Sequence, residues 1–210
     1  MVTSYLQLLE RRYKPLLDEE ALQFIDFAVQ GAARMRMLIK DLLTYSRVDT
    51  QGIPLAPVDA GAVLESVLRN LKVAIEESGA LISHGAMPTV MADATQLGQV
   101  FQNLIANAIK FRGPNAPLIH IEATKPGLQW VFSVRDNGIG IEPRFFERIF
   151  VIFQRLHSQD EHEGTGIGLA VCNRIIARHG GQIWVESKPD EGSAFFFSLN
   201  PPTGGGQTGS

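Results

Sequence analysis

The 210-residue chain has a single cysteine, two tryptophans and three tyrosines, and none of its apolar runs is long. One cysteine, Cys172, excludes an internal disulfide framework and fits a reducing compartment. Its neighbours Ala170, Val171, Ile175 and Ile176 mark it as a buried thiol that acts as a small hydrophobe. No apolar stretch nears the roughly 20 residues needed to cross a bilayer, and no charged start leads into an apolar core. The chain is therefore expected to carry neither a membrane segment nor a signal peptide, and to be cytoplasmic, alone or as part of something larger. A basic run or stripe is missing too: 19 Lys and Arg stand against 22 Asp and Glu, a formal net charge of -3. Nothing recruits a nucleic-acid backbone, so no nucleic-acid partner is expected. There is no internal repeat. The composition is 45% hydrophobic and 20% charged, enough to build a core in a chain of this length.

Residues 1–50 read as helical. A short amphipathic piece over 1–13 is interrupted at Lys14-Pro15, where proline removes a donor and pushes the preceding residue out of helical geometry. From Asp18, an N-cap type, a second helix is predicted to about residue 49. Leu22, Ile25, Val29, Ala32, Met35, Ile39 and Leu42 recur along it at three- and four-residue steps. Two such helices form a hairpin whose apolar stripes need cover. That cover is either the rest of this chain or a second copy completing a four-helix bundle, and the homodimer is the reading preferred. Residues 51–58 read as a linker. Beyond them, Asp59 is expected to cap a helix to about 78, with a strand over 81–87, and Asp93 a helix over 94–111. Paired strands follow at 118–123 and 129–135, then a loop-rich stretch with a short helix near 143–150. A helix over 166–179 is ended by Gly180-Gly181, and strands at 182–187 and 193–199 close the fold. Without regular βαβ alternation this is an α+β chain: a helical hairpin over 1–50, then an α/β sandwich over 59–200. Residues 201–210 read as a disordered tail.

Three segments of the second part are too polar or too glycine-rich for packing alone. Asn103, Asn107 and Lys110 share one helical face, which suits a magnesium–phosphate site or, equally, a solvated polar stripe. Asp136-Asn-Gly138-Ile-Gly140-Ile141 follows a strand; its glycines admit close approach of a ligand, and Asp136 could accept from the exocyclic amine of adenine. The same sequence also suits an ordinary turn. Gly164-Thr165-Gly166-Ile-Gly168-Leu169 opens a helix, where free amides suit phosphate. It is not a Walker loop, since no Gly-Lys-Ser/Thr follows.

Taken in order, Asn-x-x-x-Asn-x-x-Lys, Asp-x-Gly-x-Gly, Phe150-x-x-Phe153 and Gly-Thr-Gly-Ile-Gly-Leu resemble the N, G1, F and G2 boxes of sensor histidine-kinase catalytic domains. These are members of the Bergerat ATP-binding fold that also includes type II topoisomerases, Hsp90 and MutL. The resemblance covers about residues 59–200. The first fifty residues are similar to the dimerisation and histidine-phosphotransfer hairpin of these kinases. The stretches from Ser4 to Tyr13, Phe153 to His157 and Glu163 to Leu169 look most like phytochrome-type members.

The resemblance implies ATP and Mg²⁺ as cofactors and a role for each matched residue. Asn107 would hold the metal, Asn103 would lie on the phosphates, and Lys110 on the phosphate chain. Phe111 would lie against adenine, Asp136 would bind its amino group, and Gly138, Gly140 and Ile141 would shape the base pocket. Gly164, Thr165, Gly166, Gly168 and Leu169 would form the phosphate-covering lid, spanning about 145–168. Phe150 and Phe153 would anchor that lid, or simply be core aromatics. Hydrolysing members of the fold place a glutamate where Asn103 stands, and a carboxamide cannot act as a general base. Transfer is therefore expected over hydrolysis: the γ-phosphoryl to a histidine, then to an aspartate on a response-regulator receiver domain, under an upstream sensory domain. The acceptor histidine of the family falls on the first helix, but no histidine precedes His84 here. His120, His157 and His162 do not match that position, and His179 reads as a helix-end cation. The chain is thus expected to begin inside the first helix, to bind ATP and not to phosphorylate itself. The competing reading is a dimeric nucleotide-binding scaffold without turnover.

Overall fold

A computed structural model describes residues 2–13, 17–50, 53–154 and 165–202. The chain divides into two compact units, Met1–Thr44 and Tyr45–Ser210. The first holds α1 (Val2–Tyr13) and most of α2 (Glu19–Thr50). As the sequence predicts, Asp18 starts α2: its Oδ1 accepts from Ala21 N at 2.8 Å. Of the apolar stripe on α2, Ala32 is buried, whereas Met35, Ile39 and Leu42 are exposed. Tyr5, Leu8 and Leu9 on α1, and Phe24 and Phe27 on α2, are exposed as well. The Lys14-Pro15 break lies outside the described residues. No helix of the described residues is long and apolar enough to cross a membrane.

The second unit begins with the last residues of α2, six positions before the boundary expected at residue 50, and then builds a mixed sandwich. Its strands are β1 (Ala56–Asp59), β2 (Leu81–His84), β3 (Thr89–Ala92), β4 (Leu118–Thr124), β5 (Trp130–Asp136), β6 (Ile183–Lys188) and β7 (Gly192–Leu199). β2, β4, β5, β7 and β6 form one sheet in that order, parallel between β2 and β4 and antiparallel elsewhere. β1 and β3 pair separately and antiparallel, Ala56 opposite Ala92. The linker expected over 51–58 therefore ends in a strand, with residues 51 and 52 outside the described set. Pro57 is tolerated there because a two-stranded ribbon leaves a free edge.

The helices are α3 (Ala60–Asn70), α4 (Lys72–Ser78), α5 (Ala94–Lys110) and α6 (Gly168–Arg178). The single helix expected from 59 to 78 is broken at Leu71. Asp59 and Asp93 cap as the sequence implies, Asp59 Oδ1 accepting from Gly61 N and Ala62 N, and Asp93 Oδ1 from Thr95 N and Gln96 N. Each such cap stabilises its helix by about 1 kcal/mol. Leu97, Val100, Phe101, Leu104, Ile105 and Ala108 form the buried stripe of α5. Phe101 meets Phe132 and Phe197 edge-on at 5.9 and 5.7 Å, and those two rings stack at 4.8 Å. The one short helix predicted near 143–150 is two 3₁₀ turns, Pro143–Phe145 and Arg148–Phe150.

A polar hub holds α5 and α6 together at the end away from their glycine-rich partners. Arg178 Nη1 donates to Gln96 Oε1 at 2.8 Å, and its Nη2 to Ile53 O at 2.6 Å. Gln96 Nε2 in turn donates to Val48 O at 2.9 Å, and Arg174 pairs with Asp49 over the Tyr45 ring. His179 sits inside this hub, only 3% exposed, and is not the helix-end cation that its position suggests. Its Nε2 accepts from Asp93 N at 3.0 Å while Nδ1 donates to Ile175 O at 2.7 Å. Burial pushes its pKa below the ordinary value, and Arg178 adds to that. The folded chain therefore binds this proton more weakly than the unfolded one. Stability from this group is fully present above its unfolded value of about 6.5 and is lost as pH falls below it. His84 is shifted the other way by its hydrogen bond to Gly85 and by Glu65, but it is largely solvated. Urea midpoints compared at about pH 8 and about pH 5 should fall more steeply for the native chain than for His179→Gln. Equal falls would remove His179 from the account.

Candidate nucleotide site

The sheet's register explains how a polar site forms at the end of an apolar face. Across β5, β7 and β6 the same row runs Phe132–Phe197–Ile183, then Val134–Phe195–Val185, and finally Asp136–Ser193–Ser187. The helix-covered face is thus aromatic and aliphatic until its last row, which is carboxylate and hydroxyl. Asp136 Oδ1 accepts from Gly138 N at 2.8 Å and Ser193 N at 3.2 Å. Oδ2 accepts nothing from the described residues. Burial raises the Asp136 pKa above the usual carboxylate range, with those two backbone bonds working against the shift.

The loop after Asp136 is sewn to its surroundings by backbone. Ile139 N donates to Phe111 O at 3.0 Å, Asp190 N to Ile139 O at 2.8 Å, and Ile141 N to Ser187 Oγ at 2.8 Å. Gly138 lies so near that an added Cβ would sit 2.4 Å from Phe111 O. Gly140 has φ +70, and a Cβ there would be 2.0 Å from Lys188 O. Both glycines are required by close approach of the protein's own backbone, as the turn reading expects. Asn137 serves the turn: its Oδ1 accepts from Leu118 N and its Nδ2 donates to Ala116 O.

The end of α5 brings Phe111 and Lys110 to this loop, with Lys110 Nζ 4.4 Å from the centre of the Phe111 ring. One turn back, the Asn107 carboxamide is half-buried and bonds to no described residue. One further turn back, Asn103 Nδ2 donates to Gly168 O at 3.1 Å and to Cys172 Sγ at 3.6 Å. From Phe111 to Asn103 is eight residues, about 12 Å of helix rise. That length matches the span from a base to its phosphates.

At the far end of that span α6 begins. Its N-cap is Ile167, fully buried, which offers no side-chain hydrogen bond to the first-turn amides. α3 and α5, by contrast, are both capped by aspartate. A helix start left uncapped beside Asn103 suits an anion, because its free N–H groups and the helix dipole both favour negative charge. Gly166 has φ +73, and Thr165 and Leu169 are half-buried. Gly164, His157, His162 and the middle of the expected lid, residues 155–164, lie outside the described residues. Phe150 is half-buried, but Phe153 is 58% exposed with φ +64, which removes the core-aromatic reading for Phe153.

The residues present fit a nucleotide with a divalent cation. Among the described residues no cluster of three His, Cys, Asp or Glu could hold a metal. A lone carboxamide suits Mg²⁺ carried on phosphate oxygens and water, which needs few protein ligands. Ser187 and Ser193 escape a reading of the sequence, since a strand serine carries no local signal and only the register brings both to Asp136.

Residues 92–203 match the family described as histidine kinase-, DNA gyrase B-, and HSP90-like ATPase. The phytochrome-like protein Cph1 of Synechocystis sp. is 60% identical over 94% of this chain. Cyanobacterial phytochrome A of Nostoc sp. is 56% identical over 97% of it. The chain spans 26% of the length of each of these relatives. Among solved structures, full-length ShkA in complex with AMPPNP superposes with a TM-score of 0.69 at 29% identity, covering 94% of this chain and 42% of that one. With the site's geometry, these similarities show that the chain belongs to the histidine kinase-, DNA gyrase B- and HSP90-like ATPase family, as a histidine-kinase ATPase domain similar to those of phytochrome-like proteins.

Proposed function

We propose that this chain is the catalytic core of a two-component sensor kinase, binding Mg-ATP along α5 and passing the γ-phosphoryl to a histidine and then to a response-regulator aspartate. The observation that carries the reading is the uncapped, glycine-rich start of α6 held against Asn103, one turn from Asn107. Asp136 and its serine row lie at the other end of the same helix. Asp136 Oδ2 accepts from the exocyclic amine of adenine, and Gly138 and Gly140 let the loop that follows it pack against Phe111 and Lys188. The amides that open α6 and the Lys110 ammonium hold the phosphate chain, while Asn107 Oδ1 takes one position on Mg²⁺. When bound, the metal neutralises charge on the phosphates. Positioning and charge stabilisation of this kind are most of what phosphoryl transfer asks of a protein. The solved structure of ShkA, a similar protein, is a complex with AMPPNP, which supports nucleotide binding by this chain.

Nothing at position 103 can take a proton from water, which favours transfer over hydrolysis. No histidine of this sequence precedes His84, so none stands on α1 or α2 to accept the phosphoryl group. Exposed apolar side chains on α1 and α2, among them Tyr5, Phe24, Phe27 and Ile39, support pairing with a second copy through the helical hairpin. Calorimetric titration with AMPPNP, with and without Mg²⁺, tests the reading. Saturable binding should strengthen with Mg²⁺, and Asn107→Ala should lose about tenfold in affinity together with most of the metal dependence. A folded chain that binds no nucleotide would leave a scaffold without turnover as the better account.

A further inference from the structure

Asn103 keeps unusual company for a residue on a phosphate-binding face. Its Nδ2 reaches across the α5–α6 contact to two acceptors, Gly168 O and Cys172 Sγ, one turn apart on α6. Cys172 is fully buried, and burial pushes its thiol up to about 12, so the sulfur stays a neutral, weak acceptor. A carboxylate at position 103 would face a carbonyl and a sulfur with no proton to offer either. The carboxamide supplies to both a donor that a carboxylate lacks. Gly168 lies directly against it: a Cβ there would be 3.7 Å from Asn103 Cγ.

We infer that Asn103 is a positioning residue that, through Gly168 O and Cys172 Sγ, fixes the glycine-rich start of α6 against the metal-binding face of α5. The inference rests on the ATP-binding reading for its purpose but not for its geometry. Cys172 becomes part of the nucleotide site's support rather than core filler alone. With Nδ2 committed to α6, Asn103 sets the spacing between the first-turn amides of that helix and Asn107. It acts on the phosphates through that spacing.

Amide hydrogen exchange of the nucleotide-free chain, read at residues 168–172, tests this directly. Asn103→Ala, and the near-isosteric Asn103→Asp, should speed exchange there about tenfold, as expected for loss of a half-buried donor. Both should weaken AMPPNP binding by about tenfold, by the same factor with and without Mg²⁺. Cys172→Ala should shift both readouts less, and should add nothing to Asn103→Ala, since the two act as one link. Asn107→Ala should leave exchange in α6 unchanged. Unaltered exchange in a folded Asn103 variant, or an affinity loss confined to Mg²⁺, would overturn the inference and make Asn103 a direct ligand. If Asn103→Ala fails to fold, Asn103→Asp and Cys172→Ala carry the same comparison. If the native chain binds no AMPPNP, the ATP reading falls while the exchange result still decides the role of Asn103.

Discussion

Asp136→Asn is expected to weaken binding of AMPPNP about a hundredfold while moving the thermal midpoint by only a few degrees. The two halves of the carboxylate have separate duties. Oδ1 is spent on the fold, taking Gly138 N and Ser193 N. An asparagine oxygen can keep both bonds, so the loop and the β7 start should survive. Its amide nitrogen would then stand where Oδ2 stands now and point N–H groups at the amine of adenine. Loss of a hydrogen bond to a charged acceptor costs about 1.5–3 kcal/mol, and the donor-on-donor contact adds to it. The carboxyl's raised pKa supplies a second arm, because the proposed role in adenine recognition needs the ionised form. Native affinity should be full at neutral pH and begin to fall, as pH is lowered, above the ordinary carboxylate value of about 3.9. The variant should lack that fall. Titration calorimetry at several pH values checks both arms, and undiminished binding by Asp136→Asn would remove the residue from base recognition.

Much of this arrangement is legible in the sequence where the chemistry is local. Asp18, Asp59 and Asp93 announce helix starts because capping needs only the next three amides, and all three cap as read. α5 is legible twice, through its apolar stripe and through the carboxamides that break it. Gly138 and Gly140 are legible because nothing else fits where an added Cβ would lie 2.4 or 2.0 Å from a backbone oxygen. The failures share one cause, partners remote in the chain. β1 hides behind Pro54 and Pro57, and only its pairing with β3 makes it a strand. His179 reads as a solvated helix end until Asp93, 86 residues earlier, places a backbone N–H on its Nε2. Arg178 and Gln96 are likewise 82 positions apart, so no local pattern marks their hub. Cys172 was legible as buried, but not as a partner of Asn103 on another helix.

The two glycine-rich stretches should respond to alanine in opposite ways, and Gly140→Ala is the severe case. A Cβ at Gly140 would lie 2.0 Å from Lys188 O, 2.7 Å from Lys188 C and 3.0 Å from the Pro189 Cα. All three are backbone atoms, so no side chain can rotate away, and φ +70 adds roughly 1–2 kcal/mol of its own. The loop can escape only by breaking bonds such as Ile139 N to Phe111 O and Ile141 N to Ser187 Oγ. A total cost of about 3–5 kcal/mol is expected, enough to lower the melting midpoint by roughly 10 °C. AMPPNP binding should fall below detection, since Asp136 and Phe111 are held by the same loop. Gly168→Ala meets only the Asn103 side chain at 3.7 Å, an ordinary contact, and alanine is the better helix former. Its melting midpoint should be unchanged or slightly raised. Any loss of nucleotide affinity in Gly168→Ala would then reflect how the start of α6 moves over the phosphates, whereas in Gly140→Ala it would reflect a pocket that no longer closes. Scanning calorimetry and nucleotide titration of the two variants side by side separate these cases. A stable Gly140→Ala would mean that the loop has slack which its backbone contacts deny.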